Sequence, residues 1–224
     1  QGSAKCVDGC LEAISLAEQI QDYPLAAVCA FDLGHAYKDL PEIRDLALAE
    51  GWYQRSLGLF AKDDQMGRAR CLGQLGSVAY ERFIDARKVG RPPEVCLGHL
   101  TQAHQYRMQA LEMLPPNAVE DLATIHTQLG NIYGDAGQID TALRHYRESI
   151  RHCEAMQERF LAGQSRFNAA LTLAVAGRLA DARDWAQSAL RDYQACENAD
   201  EQVVKTLKLL EQIESRLRAT SPPS

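Results

Sequence analysis

Few residues of this 224-residue sequence combine the side-chain types and spacings that a catalytic or metal site requires. Cys6 and Cys10 lie one helical turn apart, a spacing at which two thiolates can bind one metal ion. No second pair of cysteine or histidine ligands follows nearby, so two small packing residues are the favoured interpretation. His99 and His104 lie five positions apart, and a helix would not place them on one face.

The remaining candidates for chemistry also favour structural roles. His145 and His152 lie seven positions apart on one expected helix, where we predict exposure to solvent. Glu42 and Asp45 stand at the expected start of a helix, where carboxylates offset the helix dipole. The sequence contains no glycine-rich phosphate loop, H-E-x-x-H pair or G-x-S-x-G elbow. We therefore predict a protein that is not an enzyme, with no catalytic residues, no metal site and no cofactor.

The charge of the chain argues against nucleic acid as a partner. The formal net charge is −6 at pH 7, whereas nucleic-acid-binding proteins usually present a net basic surface. The densest basic stretch is interrupted by Asp85, and we interpret it as a solvated helix face, with an anion site as the alternative. Its basic residues are Arg82, Arg87, Lys88 and Arg91.

Hydropathy and cysteine content bear on location. The sequence has no apolar run of about 18 residues or more and no recognisable signal segment, so we predict no membrane association. Its seven cysteines are scattered through apolar helical segments, and an odd number cannot all pair within one chain. Unpaired thiols are typical of a reducing compartment, which predicts a cytoplasmic protein.

The elements that must position any site are helices that repeat. Apolar residues recur with helical periodicity, and no segment alternates as a strand would. A Leu-Gly pair recurs at Leu33-Gly34, Leu75-Gly76 and Leu129-Gly130, and a weaker Ala169-Ala170 follows. Repeats of roughly 40 residues are typical of solenoids built from helix pairs. We therefore predict an all-α, right-handed α-solenoid of antiparallel helix pairs with about ten helices.

The repeated residues resemble the signature of the tetratricopeptide repeat (TPR) family. The first helix of that signature reads W-x2-L-G-x2-Y and the second reads A-x3-F. In the third repeat the matching residues are His126, Leu129, Gly130, Tyr133, Ala142 and Tyr146. In the other repeats they are Leu33, Gly34, Tyr37, Ala49 and Tyr53, then Leu75, Gly76 and Ala103, then Ala182. In the second repeat Arg107 replaces the aromatic residue.

Small residues in this pattern have a packing role. Two antiparallel helices approach closely only where a side chain is missing, so Gly130 and Ala142 are expected at the crossing point of their pair. Leu129, Tyr133 and Tyr146 are expected to fill the space around it.

The repeat frame predicts the organisation of the chain. We expect a tag remnant at residues 1–3, a single TPR solenoid over 4–218 and a disordered tail at 219–224, and we interpret the whole as a fragment of a larger protein. The solenoid would comprise a half repeat at 4–21, repeats at about 25–61, 66–115, 118–156 and 159–196, and a capping helix at 199–218. The helices are predicted near 4–21, 25–38, 42–61, 66–86, 93–114, 118–136, 139–156, 159–176, 179–196 and 199–218. An insertion at about 82–99 lengthens the second repeat, either as part of a binding face or as a packing arm.

The resemblance implies a concave face lined by the first helix of each repeat. The candidate peptide-binding residues on that face are Phe31, His35, Lys38, Arg70, Ser77, Tyr80, Thr124, Thr127, Asn131, Asp135, Gln164, Phe167 and Leu171. We expect Arg70, Thr127 and Asn131 to form hydrogen bonds with a peptide. An exposed Phe31 and an exposed Phe167 would accept apolar side chains. The alternative is that these residues merely face water.

Some family members hold a C-terminal carboxylate with a recurring Lys and Asn pair on the first helices. Here His35 and Ser77 stand where Asn would be, and only Asn131 is kept. That clamp is therefore not expected in this chain.

The repeat length is similar to that of arrays in kinesin light chains and in the sensor regions of bacterial signalling ATPases. This resemblance implies a non-catalytic protein–protein interaction module, a regulatory or sensor arm of a larger multidomain protein. Its partner would be a protein or peptide, or another domain of the parent chain. The alternatives are a structural self-association scaffold and an intramolecular autoinhibitory element.

Overall fold

A computed structural model describes the backbone of residues 2–220 and the side chains of residues 7–219. Ten α-helices and no β-strand occur in residues 2–220, as the all-α prediction requires. The helices are α1 (Gly2–Gln19), α2 (Tyr23–Asp39), α3 (Leu46–Leu59), α4 (Gln65–Lys88), α5 (Pro93–Met113), α6 (Val119–Asp135), α7 (Ile139–Ala155), α8 (Arg159–Val175), α9 (Leu179–Gln194) and α10 (Asp200–Thr220). Within this described part of the chain, no helix combines the length and the apolar character needed to cross a membrane.

The chain forms two compact units, residues 1–115 and 116–224. Within the first unit α1 to α5 pack against one another in sequence order, and within the second unit α6 to α10 do the same. In the second unit α8 also contacts α6 and α10. Helices that pack in sequence order with short connections form a helical solenoid, which confirms the predicted fold class. The single domain expected over residues 4–218 stays a prediction.

The structure describes only part of the expected tag remnant and of the expected tail. Gln1, in the expected tag remnant, and residues 221–224, in the expected tail, lie outside the described residues. The side chain of Cys6 lies outside them too. Helix α1 begins at Gly2 and α10 ends at Thr220.

Aspartate side chains fix the starts of three helices in the first unit. Asp22 accepts a hydrogen bond from the backbone N–H of Leu25, and Asp64 accepts one from Gly67. Asp45 accepts two, from the N–H groups of Ala47 and Leu48. This last cap explains why α3 starts at residue 46 and not at 42 as predicted, because residues 41–45 form the turn that places Asp45 at the N-cap.

The closest helix contacts occur where a glycine faces a ring. A Cβ on Gly130 would lie 2.5 Å from Cε1 of Tyr146, and a Cβ on Gly34 would lie 2.6 Å from Cε1 of Tyr53. Both rings are fully buried. A side chain on either glycine would therefore collide with an aromatic core residue, which is why α2 and α3, and α6 and α7, approach so closely.

The insertion at 82–99 extends α4 and α5, which have 24 and 21 residues. In this part of the first unit Arg82 forms an ion pair with Glu50 at 2.6 Å and donates to the Leu46 carbonyl oxygen. Arg87 lies over the Phe83 ring, 4.8 Å from its centroid. Arg82 thus packs against its own unit, whereas Arg87, Lys88 and Arg91 are exposed.

Candidate peptide-binding site

A polar cleft of about 220 Å³ lies in the second unit, between α6 and α8. Its lining combines hydroxyl, amide and small apolar side chains. The lining residues are Ala123, Thr124, Thr127, Gln128, Asn131, Ser149, Cys153, Leu161, Gln164 and Asn168. Four of the residues predicted for a peptide groove are therefore brought together here: Thr124, Thr127, Asn131 and Gln164.

The floor of the cleft rests on a triangle of hydroxyl groups from three helices, of which Thr127 and Ser149 line the cleft and Ser165 lies buried behind them. Thr127 Oγ1 lies 2.7 Å from Ser149 Oγ and 2.8 Å from Ser165 Oγ, and the two serine oxygens are 2.9 Å apart. Thr127 also donates to the Ala123 carbonyl oxygen at 3.1 Å. Because a threonine hydroxyl carries a single proton, the bond to Ala123 leaves Thr127 Oγ1 as an acceptor, and Thr127 links α6 to α7 and α8.

Asn131 is held by a tyrosine from the neighbouring helix. The Tyr146 hydroxyl donates to Asn131 Oδ1 at 2.8 Å and lies 3.3 Å from Thr172 Oγ1. Burial raises the pKa of Tyr146, so its hydroxyl keeps its proton and remains a donor. With Oδ1 fixed in this way, the Asn131 Nδ2 amide is the group left to donate to a ligand.

Gln128 supplies the complementary group. Its Oε1 atom is buried and has no hydrogen-bond partner. Gln128 and Asn131 are three positions apart on α6, so they share one helix face. The cleft lining therefore contains a buried, unpaired acceptor one helical turn from the Asn131 amide.

The other candidates in the second unit lie outside this cleft. Phe167 is half-buried and packs against core residues such as Tyr193, so the expectation of an exposed ring is wrong. Leu171 is exposed on α8, and Asp135 is exposed at the end of α6.

In the first unit, the candidates on α2 contact one another and neighbouring side chains. Phe31 is half-buried, not exposed as predicted, with ring centroids 4.7 Å from His35 and 5.5 Å from Tyr53 in edge-to-face geometry. Lys38 Nζ pairs with Asp39 at 2.5 Å and lies 3.9 Å from Glu81. These polar and aromatic groups are thus already used within the unit.

The candidates on α4 differ among themselves. Arg70 is exposed, and the Tyr80 ring lies 5.8 Å from that of Phe83. Ser77 is half-buried and accepts a hydrogen bond from Arg107 Nη2 at 2.6 Å. Arg107, which the sequence showed only as a departure from the repeat signature, is therefore the partner of a predicted groove residue.

The histidines of α6 and α7 form a stack. Nδ1 of His126 lies 3.0 Å from Nδ1 of His145, and the ring centroids of His126 and His152 are 5.9 Å apart. The predicted exposure of His145 and His152 is wrong, because both are half-buried. Burial, with smaller effects of both neighbouring histidines, lowers the pKa of His126 to about 4. Among the described side chains, no group of three or more His, Cys, Asp or Glu residues is arranged to hold a metal ion.

Six of the ten lining residues were not predicted from the sequence, and two of these six carry amide side chains. Gln128 and Asn168 adjoin the predicted stripe, each within one turn of it, and their amide side chains were the signal available. The two serines of the floor, Ser149 and Ser165, are buried on α7 and α8. Helical spacing alone does not reveal that they lie next to Thr127.

No protein-family model matches the chain, and no curated protein matches it. Among solved structures, the chain is similar to the crystal structure of BtubC (BKLC) from P. vanneervenii, with a TM-score of 0.69 and 13% sequence identity. The match covers 100% of this chain and 95% of that one. This similarity shows a helical-repeat fold, in agreement with the helix order and packing described above.

Proposed function

We propose that this chain is a non-catalytic protein–protein interaction module of the TPR type, which binds an extended peptide segment in the cleft between α6 and α8. The observation that carries this proposal is the pair formed by the buried, unpaired Gln128 Oε1 and the Asn131 amide one turn away. An extended backbone offers N–H and C=O groups side by side, and this pair meets one of each.

The rest of the cleft fits the same ligand. Leu161 provides an apolar wall, and Thr124 and Gln164 are exposed at the rim, where side chains of a peptide would pass. The three hydroxyl oxygens of the floor lie 2.7 to 2.9 Å from one another, and their hydrogen bonds hold the floor in place. A preorganised site loses less conformational entropy on binding, which favours recognition of a flexible segment.

The repeat pattern supports a place for this module as a regulatory or sensor arm of a larger multidomain protein. The bound segment would belong to a partner protein or to another domain. In the described part of the chain the cysteines form no disulfide, which supports a cytoplasmic location.

The test is a peptide selection followed by measurement of affinity. Peptides are selected from a display library on the full chain, and binding is measured by fluorescence anisotropy for the wild type and for Thr124→Arg with Gln164→Arg. Both changes add bulk at the rim without altering the hydroxyl floor. We expect affinity to fall roughly tenfold or more.

The matched control is Gln187→Arg, which adds the same side chain at an exposed position of α9. It should bind as the wild type does. Equal affinity for the rim variant would refute the cleft as the binding site. Sedimentation velocity on the same samples would reveal a concentration-dependent mass, and a dimer that is lost in the rim variant would replace peptide binding with self-association.

A further inference from the structure

The second feature with binding chemistry is Arg107, on α5 in the first unit. Its exposed fraction is 3%. In the repeat it occupies the place that Tyr53 and Tyr146 hold in their helix pairs, and its stem lies across Gly76 as those rings lie across their glycines. A Cβ on Gly76 would be 2.9 Å from Nε and 3.1 Å from Cδ of Arg107.

The guanidinium group lacks the partners that a buried charge normally has. Nη2 donates to Ser77 Oγ at 2.6 Å, but Nε has no acceptor. Burial alone lowers the pKa of Arg107, to about 9, so the group stays charged at neutral pH. No carboxylate of the described residues pairs with it. By contrast Arg166, in the second unit and more exposed, pairs with both Glu154 and Asp192.

The guanidinium faces α4 at Gly73, which has no side chain. Apart from the backbone of α4 and its chain neighbours, the point that a Cβ on Gly73 would occupy has one heavy atom within 4 Å. That atom is Nη1 of Arg107, at 3.3 Å. Gly73 is itself buried and lies on the same face of α4 as Ser77, so Nη1 is the heavy atom nearest to this point of the predicted stripe.

We propose that Arg107 Nη1 and Ser77 Oγ form a binding site for a carboxylate, which enters over Gly73. Ser77 Oγ accepts from Nη2, so the hydroxyl proton is left to donate. An ionised carboxylate only accepts hydrogen bonds. It would accept one from Nη1 and one from the Ser77 hydroxyl. The two donors match its two oxygens.

The alternative of a purely structural arginine accounts less well for these contacts. A tyrosine fills the same position in two other helix pairs without burying a charge. A buried ionic group without a counter-charge is strongly destabilising, and the carboxylate of a bound ligand would supply that counter-charge. This inference rests on the first unit alone and does not depend on the cleft between α6 and α8.

The experiment is an NMR titration of the full chain with sodium acetate at constant ionic strength. The readouts are the Nε–H resonance of Arg107, identified by its loss in Arg107→Tyr, and the backbone amide of Gly73. We expect saturable shifts of both signals in the wild type. Gly73→Ala keeps the charge but places a methyl group 3.3 Å from Nη1, and it should weaken the response roughly tenfold or more.

Gly58→Ala is the matched control, because it is the same substitution in the same unit with nothing within 4 Å of the added methyl group. It should leave the acetate response unchanged. Two results would overturn the site. One is a wild-type chain without a saturable response. The other is a response of the residue 73 backbone amide that persists in both Gly73→Ala and Arg107→Tyr. Loss of peptide binding at the cleft would have no bearing on this result.

Two short acetylated peptides then identify the source of the carboxylate. One carries glutamate with an amidated C-terminus, and the other carries glutamine with a free C-terminus. Binding of the first assigns the site to an acidic side chain, and binding of the second assigns it to a chain terminus. Failure of both to shift the Arg107 resonance would contradict recognition of a peptide carboxylate.

Discussion

The α4–α5 and α6–α7 helix pairs place different side chains over the same kind of glycine. In α6–α7 the ring of Tyr146 covers Gly130, and its hydroxyl bonds with Asn131 and lies near Thr172. In α4–α5 the side chain of Arg107 covers Gly76. In α6–α7 the polar group of the covering side chain thus bonds with residues of its own unit. In α4–α5 the covering side chain carries a buried positive charge that no carboxylate among the described residues of its unit pairs with.

This difference shows that filling the space between two helices and binding a ligand are separate roles of the same repeat position. Both side chains fill the gap that a glycine leaves between two helices, so either one satisfies the geometry of the repeat. The polar ends differ in consequence. Tyr146 orients an amide toward the cleft and is itself fully used, whereas the guanidinium of Arg107 keeps an edge without an acceptor. The same position can therefore support a binding surface indirectly or supply a binding group directly.

The largest expected effect on stability comes from removing the aromatic ring of Tyr146 in the α6–α7 pair. Tyr146→Ala would delete a fully buried aromatic side chain and its hydrogen bond, and we expect the free energy of unfolding to fall by about 3–5 kcal/mol. Urea unfolding monitored by circular dichroism measures the change. A loss below about 1 kcal/mol would show that the α6–α7 contact is not the anchor inferred here.

Exchanging the two residue types tests whether the arginine is kept for packing. Arg107→Tyr would replace an uncompensated buried charge with the side chain that fits this position elsewhere. We expect the free energy of unfolding to rise by about 1–3 kcal/mol, measured by urea unfolding without added carboxylate. Arg107→Ala, which leaves a cavity, serves as the control and should destabilise the chain. A destabilising Arg107→Tyr would mean that the first unit needs the guanidinium for its own fold.

The sequence predicted the fold better than the polar contacts. Helical periodicity and the repeated Leu-Gly pairs located ten helices, because both signals are local and recur along the chain. The start of α3 was misplaced because Glu42 and Asp45 both suit a helix start, and the choice depends on which carboxylate reaches the backbone N–H groups. Asp45 does so.

The site depended on neighbours that spacing does not reveal. Thr127 was assigned to a ligand, but its hydroxyl bonds with serines from two other helices. Phe31 and Phe167 were expected to be exposed, yet neighbouring side chains cover part of each ring. Arg107 was visible as an exception to the signature, but the direction of its side chain and its lack of a counter-charge required the structure.

Adding a methyl group to each glycine compares the tightness of the two pairs. We expect Gly130→Ala to lower the free energy of unfolding by about 1–2 kcal/mol, because its Cβ would lie 2.5 Å from a buried ring. Gly76→Ala should cost less, since the stem of Arg107 can change rotamer. Gly58→Ala, with an unobstructed Cβ, should raise stability by about 0.5–1 kcal/mol. Equal costs at Gly130 and Gly76 in urea unfolding would remove this distinction.

The smallest effect is a pH dependence confined to the α6–α7 pair. The pKa of His126 is lowered to about 4 in the folded chain, from a reference value of 6.5. The unfolded chain therefore binds a proton at a higher pH than the folded chain does. This contribution to stability is complete above pH 6.5 and is lost progressively as the pH falls toward 4. Because the side chain is only half-buried, we expect about 1 kcal/mol in total.

His126→Gln isolates this term from the carboxylates that titrate in the same range. The difference in free energy of unfolding between the wild type and His126→Gln, measured from pH 7 to pH 4, should shift by that amount in favour of the variant at low pH. Arg107→Tyr should show no such change, since the arginine stays charged throughout this range. If the two variants respond to acid alike, the histidine stack does not distinguish the two helix pairs, and the acid sensitivity belongs to the chain as a whole.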